Sequence, residues 1–494
     1  MTRSAILPAL LLLLASGLGG CAHVGPAPRP LPSQTPGAFA ETVAAPGGEA
    51  GLADWWRRFG DPVLDDLVVR TASANLDLQQ TGARIEQARQ QEVIAGARRL
   101  PQVNADVSAS RNRISENAIS IPPGTGGGAG GGGGGTPFGI AGSEFNSFRL
   151  GADASWELDL FGGVAAGAQA AVARRQGAEW SRRDLQAALV AETASRYLDL
   201  RSLQRREAIA RDESRRLADL LSIARSRAQA GVVSGLDPEQ QAAQLAASEA
   251  RIPAVQGQIR AEIHALGVLA GEPPEALTGL LAPPAAAPPT PPVPPAGLPS
   301  ELLRRRPDIR RAEREVAAAA AETGVAAADL YPRITLSAQP GMVSTALSSL
   351  LDWGSRNYSL GAGLLWPIFD GGRARANLAK ADARQTETLL AYRKTVLTAM
   401  REVEDALSRW RADEDRRVAQ TASLDSARRA EGLARDQFGA GLSTYAPTLA
   451  ARQAVIAAED QLAEAEAAQA QDIVALYRAL GGGWSDPETQ EARR

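Results

Sequence analysis

Cysteine and histidine are nearly absent from this sequence of 494 residues, which holds one cysteine and two histidines. A lone cysteine cannot form an internal disulfide, and two histidines without a second cysteine supply neither a metal-ligating set nor a nucleophile with its base. Carboxylates are abundant, but long helical surfaces account for them. The sequence therefore predicts no metal site, no cofactor and no catalytic residue, and we expect a protein that is not an enzyme.

Aromatic residues and net charge are also scarce, at 4% of the chain and −3 at pH 7. Without a basic field the chain offers no surface for nucleic acid, so no nucleic-acid partner is expected. Ala, Arg, Gln, Glu and Leu dominate long stretches instead. This composition favours extended helices and coiled coils over large compact cores.

The first residues have the pattern of a secreted lipoprotein. Arg3 gives a positive start, residues 5–15 are apolar but too few to span a bilayer as a mature helix, and residues 18–21 read LGGC, which resembles a lipobox. This pattern predicts a signal peptide over residues 1–20, lipidation of Cys21, and an extended segment with its lipid anchor over residues 21–61. The alternative is an ordinary signal peptide followed by a chance cysteine.

The rest of the sequence contains one unit twice. Residues 148–156 (FRLGADASW) match residues 358–366 (YSLGAGLLW) at an offset of 210, and AGV at 230–232 matches AGL at 440–442 at the same offset. Internal repeats of this kind define the fold before any single element does. We therefore predict a first repeat over residues 62–272 and a second over residues 300–484, with a tail over residues 485–494.

The segments that join these parts are rich in proline or glycine. Residues 273–299 hold eleven prolines and form the predicted connector, either as an ordered extended strap or as a flexible linker. The glycine tract within residues 122–137 predicts a mobile loop, because its composition cannot offset the entropy of one fixed conformation.

Each repeat is predicted to contain a leading helix, a strand, a loop, a second strand, a very long helix, a turn and a return helix. The predicted helices cover residues 62–99, 164–230 and 238–270 in the first repeat, and residues 300–330, 373–440 and 448–480 in the second. Each long helix lacks proline and would extend for about 100 Å at ~1.5 Å per residue, so it needs partners along its length.

A coiled-coil seam is visible in the second long helix. Leu389, Val396, Val403 and Trp410 recur every seven residues, with Met400 and Leu407 beside the last two. The matching positions of the first long helix fit this pattern poorly, and they are Trp180, Ala187, Ala194 and Arg201.

Four short segments alternate apolar and polar residues, over residues 103–110, 148–157, 333–339 and 358–366. This period is typical of barrel strands with a lipid-facing side and a polar lumen side, although a half-buried strand of a soluble sheet has the same pattern. Trp156 and Trp366 end two of the segments, where either an aromatic belt or simple packing would place them.

Four strands per chain predict an oligomer. Four strands cannot close, and an open edge in hydrocarbon would leave unsatisfied backbone groups. Two chains would give eight strands with a filled interior, whereas three give twelve strands with a lumen and twelve long helical columns. The predicted fold class is therefore mixed α and transmembrane β, in which a homotrimer forms a 12-stranded β-barrel continued by an α-helical barrel below the membrane; the family resemblance described next implies that this helical barrel is periplasmic.

Five motifs together resemble the TolC-like outer-membrane factors, specifically the NodT-type efflux lipoproteins. They are WWRRFGDPVL (55–64), GLPSELLRRRPDIR (297–310), WPIFDGG (366–372), EVEDAL (402–407) and ALYRALGGGW (475–484). The resemblance covers nearly the whole mature chain. It implies an outer-membrane channel, anchored by lipid and extending into the periplasm, that passively conducts substrates as the exit duct of a tripartite efflux system.

The resemblance also implies partners, namely a periplasmic adaptor and an inner-membrane pump of the resistance-nodulation-division type. Two alternatives stay open, a duct that secretes polypeptides and a non-conducting coiled-coil lipoprotein scaffold. The three differ in whether the protein conducts and in what its deletion stops the cell from exporting.

The same resemblance assigns functional residues to the two hairpin turns. The adaptor-contact residues would be Gly231, Val232, Val233, Gly441, Leu442 and Ser443. A purely structural role for both glycines is an equal alternative, because glycine permits a tight reversal. The candidates for the periplasmic gate are Asp237, Phe438, Tyr445 and Ala450. Ala450 stands where relatives carry an acidic residue, so a less charged aperture is expected.

The basic run Arg304-Arg305-Arg306 lies among acidic residues, including Glu301 and Asp308. This arrangement favours ion pairs on a helix surface over a phosphate site.

Overall fold

The structure is a computed structural model that describes residues 31, 36–41, 51–113, 115, 144–231 and 234–484, and for Tyr445 its backbone only. Several predicted features lie outside the described residues: the signal peptide (1–20), Cys21, the glycine-rich segment (122–137), Val232, Val233 and the tail (485–494). The chain divides into two compact units. The strand unit comprises the described parts of Arg89–Ala173 and Ala317–Thr386, and the helical unit those of Pro30–Ala88, Arg174–Val316 and Glu387–Arg494.

The described elements follow the predicted order in each repeat. The first repeat contains α1 (Pro62–Ala74), α2 (Leu76–Ala97), β1 (Gln102–Arg113), β2 (Glu144–Leu158), α3 (Gly163–Gln229) and α4 (Leu236–Leu269). The connector contains the single turn α5 (Thr278–Leu281). The second repeat contains α6 (Pro299–Arg305), α7 (Pro307–Ala328), β3 (Arg333–Ser344), β4 (Arg356–Leu365), α8 (Arg373–Gly439) and α9 (Tyr445–Ala479).

The duplication extends to the boundaries of the elements. The long helices α3 and α8 have 67 residues each and start 210 residues apart. The leading helices α2 and α7 have 22 residues each, and the strands β1 and β3 have 12 residues each, and both pairs are offset by 231 residues. The two offsets differ because the connection between the two strands is longer in the first repeat, from β1 to β2, than in the second repeat, from β3 to β4.

The prediction of one continuous leading helix per repeat is wrong, because each is interrupted once. The first breaks at Asn75, whose side-chain Oδ1 accepts hydrogen bonds from the backbone N–H of Asp77 (2.9 Å) and Leu78 (3.3 Å) and so caps α2. The second breaks at Arg306, because the ring of Pro307 disfavours helical geometry in the residue before it.

The strand unit contains one antiparallel sheet in the order β1-β2-β3-β4. Its register places Val103 opposite Ala154, Ala154 opposite Ala338, and Ile334 opposite Leu364. The predicted apolar positions therefore share one face. Within the described chain, β1 and β4 are edge strands. No helix among the described residues is both long and apolar enough to cross a membrane.

The helical unit is built on two apolar clusters. In one, the ring of Trp55 stacks on that of Tyr477 at 5.1 Å between centroids, and Phe59 and Tyr197 are fully buried nearby. The other contains the predicted seam of α8, where Val396, Val403 and Leu407 are buried. Buried alanine and leucine side chains of the helices pack around these residues.

The four residues of α3 that the sequence matches to this seam fit the heptad pattern poorly, yet three of them are buried. Ala187 and Ala194 are buried, and Arg201 is only 2% exposed. Arg201 is tolerated because its Nε donates to Tyr197 Oη (3.0 Å) and its Nη1 donates to Gln204 Oε1 (2.7 Å). At the offset of 210, Ala187, Ala194 and Arg201 are the counterparts of Leu397, Glu404 and Arg411, so each lies one residue after the equivalent of a seam position of α8.

The proline-rich connector is an ordered strap. Leu281 is fully buried in the helical unit, and its carbonyl accepts a hydrogen bond from Gln204 Nε2 at 2.7 Å. Pro283 O also receives a longer bond, 3.4 Å, from Arg201. Two buried polar side chains of α3, Arg201 and Gln204, thus donate hydrogen bonds to backbone carbonyl groups of the connector. These bonds satisfy carbonyl groups that no helix or strand pairing satisfies.

Candidate functional site

The sheet has one apolar and one polar face, and its apolar face is exposed. Val107, Tyr358 and Leu360 are each about three-quarters exposed, at 76%, 75% and 74%. On the polar face, Arg149 Nε lies 2.9 Å from Asp106 Oδ1 on the neighbouring strand. An exposed apolar face next to a charged face matches a sheet with lipid on one side and water on the other.

Trp156 and Trp366 occupy equivalent places in the two repeats. The indole Nε1 of Trp156 donates to the carbonyl of Arg99 (3.0 Å), and that of Trp366 donates to the carbonyl of Leu330 (3.3 Å). Each acceptor lies just beyond a leading helix, where carbonyls lack helical partners. The rings remain 37% and 55% exposed, so the hydrogen bond orients an indole that can also contact a membrane interface.

Both hairpin turns begin with a glycine in the left-handed region. Gly231 has φ 71° and Gly441 has φ 72°. After Gly441, the backbone N–H of Leu442 donates to Gln437 O at 2.9 Å, which closes α8 as a Schellman motif. An added Cβ would meet nothing within 4 Å at either glycine. Backbone conformation, and not space, therefore requires glycine at both turns.

The other tip residues are mostly exposed. Leu442 is 80% exposed, Ser443 is half-buried, and Asp237 is exposed in the first turn of α4. Ala450 is exposed on α9. These positions leave an apolar leucine side chain available at the second turn.

Among the gate candidates, Phe438 connects the two long helices. Its half-buried ring lies 5.2 Å from the guanidinium carbon of Arg227 on α3. A cation held over an aromatic face at an exposed position contributes about 0.5–1 kcal/mol. Close to this contact, Thr448 Oγ1 donates to Ala434 O at 3.0 Å and fixes the start of α9 to α8.

Arg306 corrects the prediction of a basic run on a helix surface. Its side chain is buried, and the guanidinium makes a fork with Asp308 (3.0 and 2.7 Å), reaches Glu402 (2.7 Å) and donates to Ala479 O (2.8 Å). The ion pair with Asp308 was expected, but its burial was not. The signal in the sequence was Pro307, which ends α6 and leaves Arg306 in an extended conformation between two helices.

In the first repeat, Asn75 has the role that Arg306 has in the second, since each donates a hydrogen bond to the end of a return helix. The sequence analysis did not identify Asn75. Its Nδ2 donates to Leu269 O at 2.9 Å. Leu269 and Ala479 are the last residues of the return helices α4 and α9. In each repeat, the polar side chain at the break of the leading helix therefore caps the final carbonyl of the return helix.

A second buried polar group is centred on Tyr197. Its hydroxyl donates to Asp61 Oδ2 at 2.5 Å, and Asp61 also caps α1 through the N–H of Val63 at 2.8 Å. Burial, followed by the hydrogen bond to Asp61, raises the pKa of Tyr197 to about 12. The hydroxyl therefore stays protonated and acts as a structural donor.

Asp472 on α9 is a buried carboxyl group beside a second one. Burial, followed by the hydrogen bond and charge of Asp413, raises the pKa of Asp472 to about 7, while Arg409 opposes this from 3.7 Å. Asp472 therefore titrates near neutral pH between two packed helices.

Comparison with known proteins places these features in a family context. The family model described as outer membrane efflux protein matches residues 67–272 and 298–482. The pyoverdine export outer membrane protein OpmQ of Pseudomonas aeruginosa is 34% identical, over 97% of each chain, and nodulation protein T of Rhizobium leguminosarum bv. viciae is 30% identical, over 99% of this chain and 95% of that one. The solved structure of the outer-membrane channel OprN aligns with a TM-score of 0.83 and 33% identity, over 94% of this chain and all of that one.

Proposed function

The chain belongs to the outer membrane efflux protein family, and from that premise we propose that three copies of it form the exit duct of a tripartite efflux pump. The predicted family, the mixed helical and strand fold, the efflux function and the outer-membrane location are confirmed by the matches over both repeats and over nearly all of the chain. The protein is an outer-membrane efflux channel. The number of copies, the partners and the functional residues are the content of the proposal.

The open sheet is the observation that carries the proposal of a trimer. Among the residues that the structure describes, its two edge strands have backbone groups without ladder partners, and one face exposes Val107, Leu360 and other apolar side chains. Closure removes both edges, and a barrel of twelve strands leaves a lumen that eight strands would fill. Three copies of the first repeat (62–272), connector (273–299) and second repeat (300–484) supply those twelve strands.

The proposed partners are a periplasmic adaptor and an inner-membrane pump of the resistance-nodulation-division type. The hairpin turns are the proposed contact with the adaptor, through Gly231, Val232, Val233, Gly441, Leu442 and Ser443. Support comes from the exposure of Leu442, since apolar side chains at a solvated turn are suited to a protein partner. The channel itself is proposed to act passively, without catalysis.

The proposed gate lies beside these turns and consists of Asp237, Phe438, Tyr445 and Ala450. The contact between Arg227 and the Phe438 ring supports it, because it joins the hairpins of the two repeats. With alanine at position 450, the gate is closed by such contacts more than by a ring of acidic residues.

Planar-bilayer conductance of the purified full-length protein tests the conduit and its gate together. We expect low conductance from the native protein and a severalfold increase from Phe438→Ala, because the contact with Arg227 is lost. Leu433→Ala, on the same helix and exposed, is the matched control and leaves conductance unchanged. A trimer that conducts in no variant would contradict the conduit and favour the coiled-coil scaffold.

Lipidation is tested separately by labelling cells with palmitate. We expect label on the native chain and none on Cys21→Ala. Cross-linking in cells from Leu442→Cys tests the adaptor contact, and an outer-membrane trimer that captures no periplasmic protein would contradict it.

A further inference from the structure

The helical unit contains a cavity that the conduction of substrates does not explain. It has a volume of about 500 Å³ and is partly open to solvent. Helices α3, α8 and α9 line it together with the proline-rich connector. None of the described residues that line it belongs to the proposed gate or to the proposed adaptor contact. Pockets for organic ligands have volumes of about 300–1,000 Å³, so the cavity is large enough to hold one.

The apolar part of the lining combines one aromatic ring with small side chains. Trp410 of α8 is half-buried, because it packs partly against the apolar cluster of Trp55 and partly faces the cavity. Helix α9 contributes the alanines Ala463, Ala467 and Ala470 to the lining. Methyl groups beside an aromatic ring leave space for a flat, ring-shaped ligand to lie against the indole.

The wall formed by the connector is ordered. Pro291 and Pro294 are buried, whereas Pro289 and Pro292 are exposed. Burial therefore follows a period of three residues, which is the period of a polyproline II helix. A segment of this kind loses little conformational freedom when a ligand binds, so the cavity is preformed.

The polar part of the lining is a set of charges that neutralise one another. Arg205 of α3 forms an ion pair with Glu466 of α9, and Arg417 pairs with Glu414 within α8 at 2.8 Å. Gln469 Nε2 also donates a hydrogen bond to Glu414. The hydrogen bond from Arg417 lowers the pKa of Glu414, so this carboxylate is ionised and accepts hydrogen bonds at neutral pH.

This arrangement of charges selects a neutral ligand. A cation or an anion would have to replace a partner in one of the two ion pairs, because Arg205, Arg417, Glu414 and Glu466 each have a partner of opposite charge. Hydroxyl groups require no such exchange. A guanidinium has more N–H donors, and a carboxylate more lone pairs, than one ion pair uses, and a hydroxyl can both donate and accept.

We propose that this cavity binds a saccharide chain built of N-acetylated amino sugars. A sugar ring has an apolar face of C–H groups, which lies on Trp410, and an edge of hydroxyl groups, which bond to the two ion pairs. The acetamido methyl group contacts the alanines of α9. Sugars of this kind occur in the bacterial cell wall and in lipopolysaccharide, so the site attaches the wall of the channel to a glycan.

Calorimetric titration of the full-length protein tests the class of ligand, in a detergent whose head group is not a sugar. The probes are chitotetraose, in which every sugar is N-acetylated, and cellotetraose, which has the same linkage without acetamido groups. We expect chitotetraose to bind, and cellotetraose to bind at least about tenfold more weakly, which corresponds to about 1.4 kcal/mol. A native protein that binds neither sugar, or both equally, overturns the proposal.

Trp410→Leu tests the aromatic face. The variant keeps an apolar side chain against the core but has no ring for the sugar, and we expect chitotetraose to bind about tenfold more weakly. Trp410→Phe is expected to retain more of the affinity. Trp353→Ala is the control, because Trp353 is 74% exposed between β3 and β4 and does not line the cavity. Equal affinities of Trp410→Leu and the native protein overturn the site.

Ala467→Leu tests the same site without removing any polar or aromatic group. Its larger side chain fills part of the cavity, and we expect it to abolish the binding of chitotetraose. Ala454→Leu is the matched control, because Ala454 is exposed on α9 and lies outside the cavity. Thermal unfolding shows whether both variants are folded. Unchanged binding by folded Ala467→Leu would overturn the proposed location of the sugar.

Two further measurements distinguish the sources of the glycan. Co-sedimentation of the native protein with purified cell-wall sacculi, reduced by Trp410→Leu, assigns the site to the cell wall. Calorimetric binding of purified lipopolysaccharide, reduced by the same variant, assigns it to lipopolysaccharide. A trimer that conducts in planar bilayers but binds no chitotetraose overturns this site and leaves the proposed channel intact.

Discussion

The buried guanidinium of Arg306 shows how one side chain can join several helices. It connects the end of α6 with Glu402 on α8 and with the final carbonyl of α9. Breaking such a group by removing the cation leaves carboxylates and a carbonyl without their donor, which costs more than the group contributes when intact.

We predict that Arg306→Met lowers the free energy of unfolding by about 2 to 3 kcal/mol, because Asp308 and Glu402 lose their counter-charge. Urea unfolding in detergent, followed by circular dichroism, measures the change. Arg304→Met is the control, because Arg304 is exposed two residues away. Equal midpoints for the two variants would contradict a stabilising role for the buried group.

Asp472 predicts a pH dependence of stability. Its pKa is raised to about 7 in the folded protein from an ordinary value of 3.8, so between these values the folded state binds more protons than the unfolded state. The contribution of Asp472 to the free energy of unfolding is fully present below about pH 4 and is lost as the pH rises through 7. The free energy of unfolding then falls by at most about 1.4 kcal/mol per pH unit.

Asp472→Asn should remove this pH-dependent contribution. The free energy of unfolding of the variant, relative to that of the native protein, should therefore increase from pH 4 to pH 8. Unfolding midpoints across that range provide the measurement, with Asp425→Asn, exposed on α8, as the control. A constant difference between Asp472→Asn and the native protein across the range would show that Asp472 does not titrate there.

The chemistry of single residues could be predicted only in part. The ion pair of Arg306 with Asp308 was predicted because the two are close in sequence. Its contacts with Glu402 and Ala479 and its burial were not, because they depend on α8 and α9, which are about 100 residues or more away. Arg201 and Asn75 were missed for the same reason. An arginine or an asparagine has the same sequence signature at a surface and in a core, and only the packing of distant helices decides between them.

At the scale of elements, the turn after α8 contains two glycines with different requirements. Gly441 has φ 72°, where a Cβ is strained, whereas Gly439 is the last residue of α8 and has open space around it. We predict that Gly441→Ala destabilises the hairpin by about 1 kcal/mol and that Gly439→Ala stabilises it by up to about 1 kcal/mol. Thermal unfolding of the two variants provides the comparison.

The same pair of variants separates the structural and binding roles of Gly441. If the glycine serves only the reversal, adaptor binding falls in proportion to the lost stability. Weakened binding by Gly441→Ala with unchanged thermal stability would contradict the structural role and assign Gly441 to the adaptor contact.

The elements themselves were predictable to different degrees. The long helices were predicted to within one residue at each end, because strand-ending motifs precede them and glycine turns follow them. The leading helices were not, since the break at Asn75 has no proline to mark it. The strands extend beyond their alternating cores, because pairing with a neighbouring strand continues past the apolar residues.

For the whole molecule, the repeated sequence was the most informative feature. It predicted the number of strands and hairpins, and the need for further copies followed from the open edges. It could not show which contacts hold the two hairpins together within the chain. The two hairpins share a buried apolar cluster that contains Leu200 of α3 and Ile473 of α9. Beyond this cluster, charged residues on the helix surfaces form further contacts, and the periodic pattern of apolar residues carries no information about how those pair.

One such contact connects the hairpin of the first repeat with that of the second. Arg206 on α3 makes a fork with Asp460 on α9, with Nε 2.7 Å from Oδ1 and Nη2 3.1 Å from Oδ2, and it also lies 3.3 Å from Glu464. The side chains are about one-third exposed, so the pair adds little to global stability. It is nevertheless one of the contacts that hold α3 against α9, together with those of Gln471 to Ser195 O and to Asp199.

We therefore predict that Arg206→Asp increases channel conductance without a comparable loss of folding stability, because three acidic groups then face one another and separate the hairpins. The double variant with Asp460→Arg restores the attraction and should return conductance to the native level. Arg211→Asp is the control, because Arg211 pairs with Glu207 within α3 and not between hairpins. Planar-bilayer recordings at one fixed salt concentration compare the four proteins. If the single reversal conducts as the native protein does, the α3–α9 contact does not restrain the hairpins, and the restraint lies with the tip contact between Arg227 and Phe438.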